Sequence, residues 1–150
     1  PTELLIMENL KEQLSNLLEL MGFSNAQLEV NEEARLFSVI IEDEFLNATR
    51  LPLIVLNINR ITRLMTKKLG IDPVVVDVNN YRRERERLII ELAKAAARRA
   101  IATKETVSLP AMNAYERRLI HAELSMRPDV ATESVGEGKD RYVIVRAIEE

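Results

Sequence analysis

Four segments of the chain carry apolar residues at helical spacing, with capping or stop residues at their ends. The predicted helices cover residues 3–22, 52–69, 80–103 and 113–126. We expect each helix to bury one apolar face. In chain order, these faces consist of Leu10, Leu14, Leu17, Leu18 and Met21; Ile54, Ile58, Ile61, Met65 and Leu69; Leu88, Leu92 and Ala95; and Tyr115, Leu119, Ala122 and Met126.

Shorter apolar or alternating segments predict six β-strands, of which the first two should form a hairpin. The strands cover residues 26–31, 34–41, 73–78, 107–109, 130–135 and 141–147. The resulting order, α-β-β-α-β followed by α-β-α-β-β, predicts an α+β fold made of two small α/β sandwich-like domains. Because the first sheet ends near Asn79 and Asn80, we place the domains at residues 1–79 and 80–150.

The composition is typical of a folded protein without disulfides or a membrane span. Of the 150 residues, 47% are hydrophobic and none is cysteine. A chain without cysteine has no disulfide or thiolate metal site and suits a reducing compartment. No apolar run reaches the ~18 residues that a bilayer span requires, and no signal peptide is visible. We therefore predict a cytoplasmic protein that does not insert into a membrane.

The charge is distributed unevenly along the chain, although the formal net charge is only −3. Residues 1–59 hold three basic and ten acidic residues, residues 60–121 hold fourteen and seven, and residues 122–150 hold four and seven. A polyanion responds to the local field, so the basic central block can attract phosphates. The alternative is that many of these charges form solvated helix faces or ion pairs.

The helix that follows Asn113 carries the residues best suited to bind a nucleic acid. Asn113 and Glu116 match an Asn-type capping box. Arg117 and His121 lie four residues apart and project from one helix face, with Arg118 at its border. A guanidinium binds phosphate and stacks on bases, and an imidazole can stack or donate a hydrogen bond. By itself the spacing is a weak signal, because a lone histidine is more often a surface or core residue.

Three sequence blocks resemble those of the arginine-three-histidine domain and, more closely, of the SpoIIIJ-associated (Jag) family of bacteria. The resemblance is strong over residues 74–146 and weaker over 1–73. It implies a type II KH domain followed by an arginine-three-histidine domain that binds single-stranded RNA or DNA, with RNA as the expected ligand. The blocks are Val76-Asp77-Val78-x-x-Tyr81-Arg82, Leu109-x-x-Met112-Asn113-Ala114-Tyr115-Glu116-Arg117-Arg118-x-x-His121 and Thr132-Glu133-Ser134-x-Gly136-Glu137-Gly138.

The same resemblance implies which residues contact the nucleic acid. Arg117 and His121 would be the main contacts, and the supporting ones would be Arg118, Lys139 and Arg141. The two glycines of the third block would allow a tight loop near the ligand, or would serve turn geometry alone.

The first half of the chain departs from the family pattern. A KH domain normally grips the nucleic-acid backbone with a Gly-x-x-Gly loop. The corresponding residues 47–53 contain no glycine, so we expect this KH-like domain to bind RNA poorly or not at all. Its expected role is packing or self-association, as a homodimer or with a small KH-domain protein. Longer family members carry a further N-terminal domain and linker, so the chain is either a minimal form or a fragment.

An enzyme, for example a nuclease, has little support in the sequence. The chain has one histidine, no second general base placed by spacing, no glycine-rich phosphate loop and no clustered metal ligands. We expect no catalysis, cofactor or metal. The long helix has a possible basic stripe, for part of which the nearby Glu91 makes ion pairing the favoured explanation. The stripe consists of Arg83, Arg87, Lys94 and Arg98.

Overall fold

The structure is a computed structural model that describes residues 2–149. These residues contain four α-helices and six β-strands in the predicted order, so the α+β class is confirmed. The chain divides into two compact units, Pro1–Arg82 and Arg83–Glu150, called here the first and the second unit. Their assignment as a KH-like and an arginine-three-histidine domain stays a prediction at this level. None of the described helices is long and apolar enough to cross a membrane.

The first unit combines a three-stranded sheet with two helices. The middle strand is antiparallel to the first strand and parallel to the third, in the order β1-β2-β3. The predicted hairpin is therefore confirmed. The elements are α1 (Glu3–Leu20), β1 (Gln27–Asn31), β2 (Leu36–Ile40), α2 (Leu51–Leu69) and β3 (Val75–Val78).

The core of the first unit lies on one face of this sheet. The register pairs Val30 with Phe37, and Phe37 with Val76. Directly paired residues point to the same side of a sheet, so these three side chains share the buried face. The helices contribute Met7, Leu10, Leu14 and Leu18 of α1 and Ile58 of α2.

Two asparagine side chains complete the hydrogen bonding of the first sheet. Asn59 of α2 accepts from the Val76 N–H at 2.9 Å and donates to the Val76 carbonyl at 2.7 Å. Asn79 accepts from the Ile41 N–H at 2.8 Å and donates to the Ile41 carbonyl at 3.0 Å. A carboxamide offers the same donor and acceptor as a peptide group, so each side chain substitutes for a neighbouring strand.

The predicted apolar faces of the first two helices are wrong in part. Met21, Ile61 and Leu69 are 41%, 42% and 37% exposed. In α2 the buried face passes through Thr62 and Thr66 instead. Their hydroxyls donate to backbone carbonyls of the same helix, which makes the burial of two polar side chains possible.

The second unit is a three-stranded antiparallel sheet with two helices. β6 lies in the middle, in the order β4-β6-β5. One 3₁₀ turn that the sequence did not predict lies between the last two strands, at Gly138–Asp140. The elements are α3 (Tyr81–Thr103, whose first two residues belong to the first unit), β4 (Val107–Ser108), α4 (Ala114–Leu124), β5 (Val130–Val135) and β6 (Tyr142–Ala147).

The buried face of α3 is displaced by one residue from the predicted face. Leu88 and Leu92 are 48% and 38% exposed, and Ala95 is exposed. The prediction favoured large side chains, whereas small ones allow a helix to approach the rest of a close-packed core. The buried residues are Ile89, Ala93, Ala96, Ala97 and Ala100.

The buried face of α4 also differs from the predicted one. Ile120 and Leu124 face the core and are 0% and 1% exposed. Tyr115 and Met126, which were expected to face the core, are 41% and 85% exposed, and Ala122 is exposed as well. This change of face moves the neighbouring Arg-x-x-x-His pair closer to the core.

Candidate nucleic-acid interface

α4 begins at a side-chain cap and is tied to α3. Oδ1 of Asn113 accepts the Glu116 N–H at 2.8 Å. The predicted capping box is only half formed, because the Glu116 carboxylate accepts from Arg85 Nε at 2.8 Å instead of reaching back. Tyr115 donates its hydroxyl to Glu86 at 2.6 Å. These contacts hold the first turn of α4 beside α3.

Arg117 and His121 border the buried face of α4. On a helical projection they lie next to Ile120 and Leu124, which form that face. Both residues of the pair are partly buried, whereas Arg118 is exposed. The pair therefore lies at the edge of the core and not on a separate, fully exposed helix face, as the sequence had suggested.

Two hydroxyl groups of β5, those of Thr132 and Ser134, hold the imidazole of His121; they are called here the hydroxyl pair. Nδ1 lies 2.7 Å from Thr132 Oγ1, and Nε2 lies 2.8 Å from Ser134 Oγ. Residues two apart in a strand point to the same side, so the Thr-x-Ser spacing directs both hydroxyls to α4. Both ring nitrogens are thus occupied within the protein.

The imidazole is neutral near pH 7. Burial and, secondly, the charge of Arg117 lower the pKa of His121 from its ordinary value of 6.5. A neutral ring has one N–H and one lone pair. One member of the hydroxyl pair therefore accepts from the ring and the other donates to it, and the accepting hydroxyl keeps its own proton for a further partner.

Arg117 is oriented by the backbone of Met112, which also contacts Arg141. Nη1 of Arg117 donates to the Met112 carbonyl at 2.7 Å, and the Met112 N–H donates to the Arg141 carbonyl at 3.1 Å. A guanidinium has five N–H donors, and the Arg117 side chain has no second hydrogen-bond partner among residues 2–149. Arg117 is thus held in place while most of its donors stay accessible to a ligand.

A tight loop after β5 brings Arg141 to this region. Gly136 and Gly138 have φ values of 87° and 58°, which are unfavourable for residues with a Cβ. A Cβ at Gly136 would also lie 3.4 Å from both Arg141 Cα and the carbonyl oxygen of Asp140. Turn geometry is therefore sufficient to account for both glycines.

The structure connects three of the predicted contact residues and leaves two apart. Arg117 lies one helical turn from His121, and Met112 links it to the backbone of Arg141. Arg118 on α4 and Lys139 in the 3₁₀ turn are exposed, and within the described chain their side chains form no hydrogen bond or ion pair with these residues. Contact of all five with a nucleic acid stays a prediction.

The local charge favours α4 over the loop as the element that binds phosphate. The loop of residues 136–141 holds two basic and two acidic residues and carries no net charge. On α4, the carboxylates of Glu116 and Glu123 pair with cations of α3 at 2.8 and 3.6 Å. The charges of Arg117 and Arg118 therefore have no unpaired carboxylate opposite them within their own helix.

The sequence interpretation missed the hydroxyl pair and Met112. Thr132 and Ser134 stood within a recognised block, but no role was assigned to them. The alternation of β5 was the available signal, since it places both residues on the side of the buried Val130. The role of Met112 depends on its backbone, which the type of side chain does not reveal.

Ion pairing accounts for two of the four basic residues that formed the possible stripe on α3. Arg87 bonds to two carboxylates of its own helix. Lys94 lies 3.6 Å from a carboxylate of α4. Arg83 and Arg98 are exposed, so they alone keep the possibility of contacting phosphates.

The second unit matches a known domain family. Residues 87–147 match the model of the arginine-three-histidine domain, which is named for this Arg-x-x-x-His pattern. Three similar bacterial proteins are each named RNA-binding protein KhpB. They come from Clostridium symbiosum (46% identical over 72 residues), Lactiplantibacillus plantarum (44% over 72 residues) and Bacillus subtilis (35% over 74 residues).

These relatives are considerably longer than the matched segment. Each match covers 48% of this chain, but only 32%, 22% and 36% of the three relatives. The chain thus spans about a third or less of the length of the curated relatives. The resemblance to the arginine-three-histidine domain is confirmed, whereas the KH-like part stays a prediction.

Proposed function

We propose that the chain is a regulatory RNA-binding protein that binds single strands through α4 of the second unit. The observation that carries the proposal is the guanidinium pair of Arg117 and Arg118, which lies within the segment matching the arginine-three-histidine domain. The name shared by the three relatives supports RNA as the ligand. The absence of cysteine suits action in the cytoplasm.

In the proposed complex, α4 provides the main phosphate contacts. Arg117 directs its remaining N–H donors to a phosphate, because Met112 uses only one of them. Arg118 is exposed beside it and can bind phosphate or stack on a base. The loop cations Lys139 and Arg141 add weaker attraction, since two loop carboxylates offset them.

Fluorescence anisotropy with a labelled single-stranded RNA tests this proposal directly. We expect saturable binding at low salt, with an affinity that falls as the salt concentration rises. Single-stranded DNA and duplex RNA of the same sequence serve as competitors. The absence of binding at low salt would overturn the proposed function.

Crosslinking in cells, followed by mapping of the crosslinked peptides, tests which part of the chain touches RNA. We expect crosslinks within residues 112–142 and none within residues 44–56, where the glycine-free loop lies. Crosslinks confined to residues 44–56 would assign RNA binding to the first unit and contradict the proposed site.

We propose a non-catalytic role for the nucleic-acid interface. The only histidine has both nitrogens bonded to hydroxyls, so no second general base is paired with it. No cluster of three or more potential metal ligands occurs within residues 2–149. Incubation of the chain with labelled RNA and divalent cations should leave the RNA intact; reproducible cleavage by the purified chain would contradict this.

A second candidate function is protein interaction through the first unit, as a homodimer or with a small KH-domain protein. The helix α2 supports it, because Leu53, Leu56 and Leu64 are 58%, 47% and 68% exposed. Light scattering at high concentration should show a dimer that Leu64→Glu converts to a monomer. A strict monomer would exclude the homodimer and leave the heteromeric form, which a pull-down with the small KH protein would test.

A further inference from the structure

The imidazole of His121 has no nitrogen available for a ligand. Its two nitrogens lie 2.7 and 2.8 Å from the hydroxyl oxygens of Thr132 and Ser134, which are distances of well-formed hydrogen bonds. An imidazole has no other hydrogen-bonding atom. A phosphate oxygen or a base edge could therefore bond to the ring only by displacing one of the two hydroxyls.

Such a displacement is unfavourable at this position. The ring, Thr132 and Ser134 are all partly buried where α4 meets β5. A hydroxyl that loses its partner in a partly buried site loses more than an exposed hydrogen bond returns. The neutral ring also adds no charge that would attract a phosphate to this point.

The contacts of His121 connect the two elements that carry the other candidate residues. His121 lies one helical turn after Arg117 on α4. Thr132 and Ser134 lie on β5, immediately before the loop that begins at Gly136 and leads to Arg141. By joining α4 to β5, the ring determines where the guanidinium of Arg117 lies relative to this loop.

We propose that His121 is a positioning residue of the nucleic-acid site, which acts on the ligand only through Thr132 and Ser134 and makes no contact of its own with RNA. This inference rests on the proposed RNA-binding function. The direct contacts belong to Arg117, to Arg118 and to the hydroxyl that accepts from the ring. That hydroxyl has its proton left to donate, and the ring fixes its orientation.

A double-mutant cycle on the full 150-residue chain tests this inference. The variants are His121→Ala, the pair Thr132→Val with Ser134→Ala, and all three changes together. We expect His121→Ala and the pair each to weaken binding of a labelled single-stranded RNA by about two- to tenfold. The triple variant should bind no more weakly than the pair, because coupled residues are not additive. A further loss equal to the His121→Ala factor would overturn the inference.

Thr132 provides a matched control for the role of its hydroxyl. Thr132→Ser keeps the hydroxyl and should bind RNA like the wild type. Thr132→Val keeps the shape but removes the hydroxyl, and it should bind more weakly with an unchanged dependence on salt, because no charge is lost. Equal affinities of the two variants, at comparable thermal stability, would contradict the proposal.

Nuclear magnetic resonance of the wild-type chain gives a test that does not depend on how well variants fold. The chain has one histidine, so its ring ¹⁵N signals need no assignment by mutation. Saturation with the same RNA should leave the ring neutral and its tautomer unchanged. Conversion to the imidazolium or to the other tautomer would show direct contact and overturn the inference.

Failure of the inference can be distinguished from failure of the proposed function. If the wild-type chain binds RNA in a salt-dependent way but the cycle is additive, only the positioning role of His121 is wrong. If the wild-type chain binds no single strand at low salt, the proposed function is wrong and the inference is overturned with it.

Discussion

Replacement of Arg117 by glutamine should remove one phosphate contact from the nucleic-acid site. The Arg117 guanidinium donates once, to the Met112 carbonyl at 2.7 Å, and its charge has no unpaired carboxylate opposite it on α4. Glutamine keeps an N–H donor for Met112 but has no charge. The expected loss is therefore electrostatic, and the fold of α4 should be retained.

The magnitude follows from the release of counterions. For a single strand, each phosphate contact contributes about 0.7 to the slope of log K against log salt concentration. Loss of one contact lowers the slope by about 0.7, which corresponds to about fivefold weaker binding at about 0.1 M salt and about threefold at about 0.2 M. The effect should thus decrease steadily as salt is added.

Anisotropy titrations of a labelled single-stranded RNA over a series of salt concentrations measure both quantities. Arg63→Gln on α2 is the matched control, because Arg63 is exposed and its guanidinium has no ion-pair partner within residues 2–149. It should leave slope and affinity unchanged. The reasoning is refuted if Arg117→Gln leaves the slope unchanged, or if Arg63→Gln lowers it by the same amount.

His121 should make folding stability depend on pH: its pKa is lowered by burial, so the folded chain binds fewer protons than the unfolded chain. Stability should be complete above the ordinary pKa of 6.5 and fall as the pH drops below it; urea unfolding measures this, and His121→Gln should remove that part of the dependence. Ala97, 0% exposed, should lose about 1–3 kcal/mol of unfolding free energy on Ala97→Leu, whereas the exposed Ala95→Leu should change it by less than about 0.5 kcal/mol; equal effects would contradict the buried face of α3. Glu137→Gln should strengthen RNA binding about twofold at low salt by removing a loop carboxylate, and Glu29→Gln on β1 should not; identical affinities of the two variants would exclude the loop from the interface.

The order of helices and strands could be predicted because it depends on local patterns. Apolar alternation around the polar residues 31–35 predicted the hairpin, and Asn113 predicted where α4 begins. The buried side of α3 and of α4 could not be predicted in the same way. Leu88 and Ala93 both lie at helical spacing, and only the packing of the rest of the second core determines that Ala93 is buried.

The candidate site shows the same division. The spacing of Arg117 and His121 predicts that they share a helix face, since residues four apart always do so. It does not predict what that face contacts. The partners of His121 lie eleven and thirteen residues further along the chain, and Arg117 is held by a backbone carbonyl.

The sequence by itself determined the order of elements, the start of α4, the Arg-x-x-x-His pair and the uneven distribution of charge, because each depends on residue type and on spacing within a few positions. Only the tertiary structure decided that the imidazole of His121 is neutral and bonded to Thr132 and Ser134, and that Arg117 keeps most of its donors. These properties depend on which strand packs against α4, and that is set by the packing of the whole unit, which no local pattern contains.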